Sequence, residues 1–265
     1  MVMNELEKEV FEMYRNTMKD KHCRRCYEMA KNEERTLNPP ISFWNLGTNF
    51  GDKSKPRIAF VGKTSWMSPD DIETFGKKIG PIYDIRRATD YFFGNDIKRY
   101  RYWRAIKKIS QKVHSTKQDP LEFLENIFIT NLVKCNFLEC QDSYENITGF
   151  EYFSNCLDIF EKEIEIVKPS HVIFFTNDYY DSLVDDLHFG YEDSDCEWED
   201  LSSKYHRKQV SQRAIKNKNV SWWHRVFREG GTPKMHFLRT RHPQGAPAEF
   251  EDEIVHWIRK WRNSP

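Results

Sequence analysis

Residues 126–135 read NIFITNLVKC, and this stretch decides the fold. Its β-branched and aromatic side chains predict a buried strand that ends in polar residues. Three further runs have a similar character: PRIAFVG at 56–62, HVIFF at 171–175 and MHFLRT at 235–240. Helical patterns cover about 4–32, 84–93, 99–115, 150–167, 178–188 and 248–262. Strands that alternate with helices predict an α/β protein with three layers, α/β/α, around a central four-stranded, mostly parallel sheet.

The unusual polar segments of the chain follow the predicted strands. These segments are GKTSW at 62–66, TNLVKCN at 130–136 and TRHPQG at 240–245. In parallel sheets, binding sites form where the strands reach their carboxyl ends. The sequence therefore predicts that these three segments meet at one functional site.

Composition restricts the function less than the motifs do. The 265 residues carry 41 Lys and Arg against 41 Asp and Glu, so the formal net charge is zero. A uniformly basic surface is excluded, but a local basic surface is compatible with this balance. No apolar run approaches the roughly 20 residues that span a bilayer, and the N-terminus lacks a secretory pattern. We expect a single-domain, cytoplasmic monomer covering 1–265 that does not contact a membrane.

A charge-segregated segment at about 178–235 is expected to form an insertion in this domain. Residues 178–200 contain ten acids and no Lys or Arg, whereas residues 204–241 contain eleven Lys and Arg and one acid. Trp222 and Arg225 belong to the basic half, where aromatic and basic side chains interleave as in nucleic-acid-binding surfaces. Alternatively, the two halves neutralise each other as ordinary solvated surface.

Four of the six cysteines have the arrangement of a metal site. Cys23 and Cys26 form a C-x-x-C pair, Cys135 ends the second strand, and Cys156 begins the helix after it. In a reducing compartment, metal ligation is a better expectation than a disulfide framework. Four thiolates suit an iron–sulfur cluster and zinc equally. Cys140 is an alternative ligand, and six reduced, buried thiols are the remaining interpretation.

Taken together, these motifs make the chain similar to the iron–sulfur uracil-DNA glycosylases of family 4. ITNLVKCN resembles that family's ITNVVKC segment, and CLDIFEKEIEIVKPSHVIFF at 156–175 resembles its cysteine-bearing helix, Lys-Pro and strand. The C-x-x-C pair near the N-terminus and His242-Pro243 at a strand end are also similar. The resemblance implies a uracil-DNA glycosylase-like fold and DNA as the partner. It also implies a [4Fe–4S] cluster on Cys23, Cys26, Cys135 and Cys156, with zinc as the alternative.

The resemblance also implies roles for residues around the strand ends. His242 would stabilise the departing base, Asn131 would read its edge, and Phe75 would stack on it, with Tyr83 as the competing ring. Trp66 would shape the base pocket. The proposed DNA contacts are Arg239 and Arg241 beside the site and Gln244 in the loop that enters the duplex.

The loop after the first strand departs from the family pattern. Glycosylases of this superfamily carry Asp, Glu or Asn there, but Gly62-Lys63-Thr64-Ser65-Trp66 contains none of them, and Lys63 stands at the position of the family's Glu. Asp70 or Asp71 is a substitute, as is the hydroxyl of Thr64 or Ser65. Lys63 is also a candidate amine nucleophile for lyase chemistry.

These departures predict a DNA glycosylase with a changed substrate. Uracil-like bases and modified bases are both candidates, including hypermodified phage cytosines encountered in anti-phage defence. The alternative is a non-catalytic nucleic-acid-binding protein that retains the fold and the cluster. A nucleotide-binding P-loop is the weakest interpretation, because Arg57 stands where its first glycine is needed.

Overall fold

A computed structural model describes residues 3–18, 22–64, 67–94, 100–114, 122–137, 150–176, 187, 196–200, 222–229, 232–244, 246–247 and 249–261. Within these ranges, the helices are α1 Glu5–Thr17, α2 His22–Asn32, α3 Pro69–Phe75, α4 Arg86–Gly94, α5 Arg101–His114, α6 Phe150–Val167 and α7 Phe250–Trp261. A 3-10 turn covers Glu122–Asn126. The strands are β1 Asn45–Leu46, β2 Ile58–Gly62, β3 Lys77–Ile79, β4 Ile82–Asp84, β5 Ile127–Asn131, β6 His171–Phe174, β7 Cys196–Asp200, β8 Trp223–Glu229 and β9 Thr232–Arg239.

The main sheet is mixed and contains seven of the described strands in the order β1-β5-β2-β6-β9-β8-β7. The four strands expected from the sequence lie at its centre and run parallel, in the order β5-β2-β6-β9. β1 pairs antiparallel with β5 at one edge, and β8 and β7 continue the sheet antiparallel at the other. The α/β class is confirmed, but the prediction of a four-stranded sheet was wrong.

Helices cover both faces of the sheet. Side chains of α1, α2 and α6 pack with alternate strand residues such as Val61 and Phe128 in one apolar cluster. Side chains of α3, α4, α5 and α7 form a second cluster with the intervening residues, such as Phe60 and Ile129. Because successive strand side chains point to opposite faces, each fully buried strand supplies both clusters. This explains why the central strands read as continuous apolar runs.

Several predicted boundaries differ from the observed ones. The single helix expected over 4–32 is two helices. The first, α1, ends at Thr17 and is capped by Met18, whose backbone N–H donates to the Tyr14 carbonyl. The helix expected at 150–167 is confirmed as α6. The helix expected at 178–188 falls almost entirely outside the described residues. In the part of the chain that the structure describes, no helix is both long enough and apolar enough to cross a bilayer.

Candidate functional site

Two loops continue side by side beyond the ends of β2 and β5. The Leu132 N–H donates to the Gly62 carbonyl at 3.0 Å, and the Val133 N–H donates to the Lys63 carbonyl at 2.9 Å. The Thr64 hydroxyl donates to the Cys135 carbonyl at 2.7 Å. GKT and NLVKC are therefore held together as one unit at the carboxyl end of the sheet.

Asn131 ends β5 with a buried side chain that is only 4% exposed. With its amide oriented so that both ends are satisfied, its oxygen accepts the Trp44 indole N–H at 3.0 Å and its nitrogen donates to the Thr130 carbonyl at 3.2 Å. An amide has two donor hydrogens and an oxygen with two lone pairs. One donor and one acceptor of the amide are therefore not used by these two bonds.

Gly62 lies against this amide and has no room for a side chain. A Cβ at this position would lie 2.4 Å from the Asn131 side chain and 2.9 Å from the Tyr102 hydroxyl oxygen. Both distances are shorter than real Cβ contacts. The glycine thus allows two polar groups, from β5 and from α5, to approach the end of β2.

His242 lies beside Tyr102, and the two rings stack with centroids 5.6 Å apart and planes 15° apart. Burial is the main cause that lowers the pKa of His242 to about 4, and the charges of Lys63 and Arg241 lower this pKa further. The Gln244 backbone N–H donates to Nδ1 at 3.2 Å. Because Nδ1 accepts this bond, the neutral ring carries its proton on Nε2.

We refer to Gly62, Lys63, Tyr102, Asn131 and His242 as the strand-end cluster. It brings together three residues predicted from the sequence, Lys63, Asn131 and His242, and the Lys63 side chain is only 8% exposed. Tyr102 and Trp44 were not predicted. Neither residue belongs to a strand-end motif, and the only signal in the sequence is the aromatic density of YRYW at 100–103.

Other candidates for the first loop have different surroundings. Asp70 is exposed in the first turn of α3. Asp71 forms the capping box of that helix, with the Ser68 N–H donating to its carboxylate at 3.2 Å and its own N–H bonding to the Ser68 hydroxyl. Ser65 and Trp66 lie outside the described residues. The charge of Lys63 is near enough to His242 to lower the pKa of that ring.

The two predicted stacking rings are half-buried and are neighbours in the fold. The Phe75 ring lies 5.1 Å from the Tyr91 ring. A Cβ on Gly76 would lie 3.1 Å from the Tyr83 ring. Both rings pack against the apolar cluster that also includes Tyr102. Their roles as base-stacking residues remain predictions.

The residues predicted to contact DNA have unequal exposure. Arg239 is only 5% exposed, and its guanidinium lies 5.9 Å from the centre of the Trp223 ring. Arg225 lies over the same ring at 4.8 Å, and Trp222 packs edge-on against Phe250. Arg241 is half-buried and Gln244 is exposed. Arg241 and Gln244 flank His242 in the chain and are the better placed of these residues for a ligand.

Three of the four predicted metal ligands line one cavity, which we call the cysteine cavity. Its lining consists of Cys26, Tyr27, Leu37, Pro40, Lys134, Cys135, Asn155, Cys156 and Ile159. The three cysteines are buried thiols rather than disulfides. Burial raises the pKa of Cys26, and it raises that of Cys156 to about 11. The Asn155 amide donates to the Cys26 sulfur at 3.2 Å.

The position of the fourth predicted ligand is known only from the backbone. Cys23 lies on α2 three residues before Cys26. The described side chains do not include that of Cys23, and among them no group of three or more His, Cys, Asp or Glu residues is arranged to hold a metal ion. Three thiols lining one cavity nevertheless fit the donor chemistry of an iron–sulfur or zinc site.

A buried ion pair lies next to the cysteine cavity. Lys134 and Glu163 are 1% and 0% exposed, and their charged atoms are 2.6 Å apart. The carboxylate also accepts hydrogen bonds from the Tyr14 and Thr130 hydroxyls. Burial and the adjacent carboxylate hold the pKa of Tyr14 well above its usual value. This network joins α1, the loop that carries Cys135 and the helix that carries Cys156.

No protein-family model and no curated protein sequence matches this chain. Its function is therefore argued from the strand-end cluster and the cysteine cavity.

Proposed function

We propose that the protein is a DNA glycosylase that takes a uracil-like or modified base out of the helix and hydrolyses its N-glycosidic bond. The observation that carries this proposal is the grouping of Asn131, Lys63 and His242 at the carboxyl ends of parallel strands: Asn131 and Tyr102 both approach Gly62, His242 stacks on Tyr102, and the Lys63 charge acts on His242. The three-layer arrangement of the uracil-DNA glycosylases and a monomeric state are parts of the same proposal. Nucleobase chemistry requires an extruded nucleotide, because the target atoms are inaccessible inside a duplex.

The proposed chemistry begins with the departure of the base. The bond from the sugar C1′ to the base nitrogen breaks, and its electron pair leaves with the base. His242 donates from Nε2 to the carbonyl oxygen on which this negative charge develops. A neutral imidazole fits this role, because its pKa of about 4 keeps the ring uncharged near neutral pH. Removing one such preorganised donor typically costs about 10²–10³-fold in rate.

Asn131 and Lys63 complete the proposed site. The remaining donor and acceptor of the Asn131 amide read the edge of the base, and Trp44 fixes the plane of that amide. The Lys63 ammonium adds positive charge near the leaving base. Water then forms the new C–O bond at C1′ and loses a proton to the departed base. An uncharged Lys63 amine would instead attack C1′, so that a C–N bond to the enzyme forms as the bond to the base breaks, and the amine proton passes to the base. Opening of the sugar ring would then give a Schiff base between C1′ and Lys63, which borohydride reduces to a stable adduct, whereas attack by water leaves nothing to trap.

The cysteine cavity is proposed to hold a [4Fe–4S] cluster on Cys23, Cys26, Cys135 and Cys156, with zinc as the alternative. Its chemistry here is structural, since thiolate ligation would join α2, α6 and the Cys135 loop. Because the Thr64 hydroxyl donates to the Cys135 carbonyl, fixing Cys135 would also restrict the motion of the GKT loop. Iron, sulfide and zinc analysis of anaerobically purified protein distinguishes the two metals.

The function is tested with single- and double-stranded oligonucleotides that carry uracil, hypoxanthine or phage-type modified cytosines. We expect alkali-labile strands from one class of base, and loss of this product in His242→Ala and Lys63→Ala. His256→Ala is the matched control, because His256 is exposed on α7. Wild-type protein that leaves every oligonucleotide alkali-stable contradicts the proposal.

A non-catalytic nucleic-acid-binding protein is the second candidate. The sequence of the loop at 62–66 favours it, because this loop contains no carboxylate to activate water. This candidate predicts retention of the same oligonucleotides in a gel without any alkali-labile product. The oligonucleotide panel therefore separates the two functions.

A further inference from the structure

The Tyr102 hydroxyl is a buried polar group without a hydrogen-bond partner among the described residues. Native proteins rarely leave such a group unsatisfied, because a buried donor has lost its hydrogen bonds to water. An unsatisfied group that persists at a candidate site needs an explanation. The simplest is that a ligand supplies the missing partner.

The environment of the Tyr102 ring holds this hydroxyl in place. One face of the ring stacks on His242, and the ring makes edge contacts with Trp103 at 5.1 Å and Phe175 at 5.7 Å. Three aromatic neighbours on different elements restrict its rotation. The hydroxyl therefore has a fixed position, as a binding group requires.

The hydroxyl is directed at the end of β2, where Gly62 leaves space. The hypothetical Cβ of Gly62 would lie 2.9 Å from the hydroxyl oxygen and 2.4 Å from the Asn131 side chain. Tyr102 and Asn131 thus both approach the same glycine, and His242 stacks on Tyr102. The orphaned hydroxyl belongs to the strand-end cluster and not to an unrelated part of the core.

The hydroxyl is a donor at every physiological pH. Burial raises the pKa of Tyr102 above its usual value, so the phenol stays protonated. A neutral phenol in an apolar environment offers its O–H to an acceptor atom. The cluster then contains three separate donors: this O–H, the Nε2–H of His242 and one remaining N–H of Asn131.

We infer that the Tyr102 hydroxyl is a substrate-binding group that donates a hydrogen bond to an acceptor atom of the extracted base. This inference rests on the proposed function and narrows its substrate class. The preferred bases carry at least two acceptor atoms, such as the carbonyl oxygens of a pyrimidine, one for Tyr102 and one for His242. Bases without a second acceptor lose this contact.

Tyr102→Phe tests the inference, because it removes the hydroxyl and keeps the ring that stacks on His242. We expect an unchanged or higher melting temperature, since the hydroxyl has no partner to lose in the free protein. We expect kcat/KM on the wild-type substrate to fall about tenfold, the typical effect of one neutral hydrogen bond. Tyr100→Phe is the matched control, because Tyr100 is 40% exposed two residues earlier.

The kinetics are measured at a temperature where circular dichroism shows that all variants are folded, so that a folding defect cannot imitate the loss. An unchanged kcat/KM in Tyr102→Phe overturns the inference and leaves the proposed function standing. Absence of excision by the wild type refutes the proposed function instead. In that case the fluorescence anisotropy of a uracil-containing single strand decides: about tenfold weaker binding by Tyr102→Phe supports the inference. Equal binding, or none by the wild type, overturns it.

Discussion

The buried pair Lys134–Glu163 allows a sharp test of what holds the two sites together. We consider Glu163→Gln, which keeps the size of the side chain and removes its charge. The Lys134 ammonium would then be 1% exposed without its anion. The Tyr14 and Thr130 hydroxyls would share a neutral amide in place of two carboxylate oxygens.

The expected loss follows from the desolvation of the remaining charge. Breaking a buried ion pair by removing one partner costs about 3–5 kcal/mol, because the other charge stays uncompensated. An exposed carboxylate has water as a substitute partner, and surface substitutions usually change stability by about 0.5 kcal/mol or less. Glu165→Gln is thus the matched control, since Glu165 is exposed on the same helix, α6.

The assay is urea unfolding followed by circular dichroism, at equal protein concentration and metal content. We expect the free energy of unfolding to fall by about 3–5 kcal/mol in Glu163→Gln and to stay within about 0.5 kcal/mol of wild type in the control. Lys134→Met in the Glu163→Gln background should recover part of the loss, because no buried charge remains. A loss below about 1 kcal/mol in Glu163→Gln would refute the reasoning, since that is the value of an exposed pair.

Two further predictions concern the strand end and the histidines beneath α7. Gly62→Ala should lower excision about tenfold or more and lower the unfolding free energy by about 1–3 kcal/mol, because its Cβ would displace the Asn131 amide and the Tyr102 hydroxyl, which their neighbours hold in place. Unchanged kinetics would contradict the tight approach. Burial lowers the pKa of His171 and brings that of His236 to about 4 from 6.5. Since the unfolded chain then binds more protons, stability is complete above pH 6.5 and falls as the pH drops below that value. His236 contributes up to about 1.4 kcal/mol per pH unit between 6.5 and about 4, and His171 lowers stability in the same direction. Urea unfolding at several pH values gives the slope of the unfolding free energy against pH. This slope should be shallower for His236→Gln than for wild type, and unchanged for the exposed-site variant His256→Gln.

The centre of the sheet could be predicted because its strands are buried on both faces. IAFVG and IFITN are continuous apolar runs, and helices between them require parallel pairing. The edges could not be predicted in the same way. β1 is two residues long, too short for a pattern. β8 reads WHRVFRE, in which the two arginines and the glutamate obscure the buried Val226 and Phe227. Part of the expected insertion is therefore an extension of the sheet.

In the candidate site, too, some residues could be predicted from the sequence and others could not. Asn131 and His242 could be predicted because each follows a strand, and strand position determines which edge of the sheet a residue reaches. Tyr102 and Trp44 come from α5 and from the loop before β1, and only their packing brings them to Asn131 and His242. No local pattern encodes a contact between residues so far apart in the chain.

The cysteine cavity and the strand-end cluster share two loops, so a substitution in one site can change the other. Gly62 and Lys63 face the cluster, while their carbonyls bind the N–H groups of the loop that ends at Cys135. A ligand that fixes Cys135 would therefore also fix the backbone beneath Lys63, without touching the base. Loss of activity in a cysteine variant would consequently not make that cysteine catalytic. A metal site that acts only through this backbone should lower kcat/KM in proportion to the disorder that its loss causes in the two loops. Thr64→Val removes one hydrogen bond between the loops and leaves every sulfur in place. We expect this variant to reproduce part of the loss in kcat/KM while its metal content stays at the wild-type level.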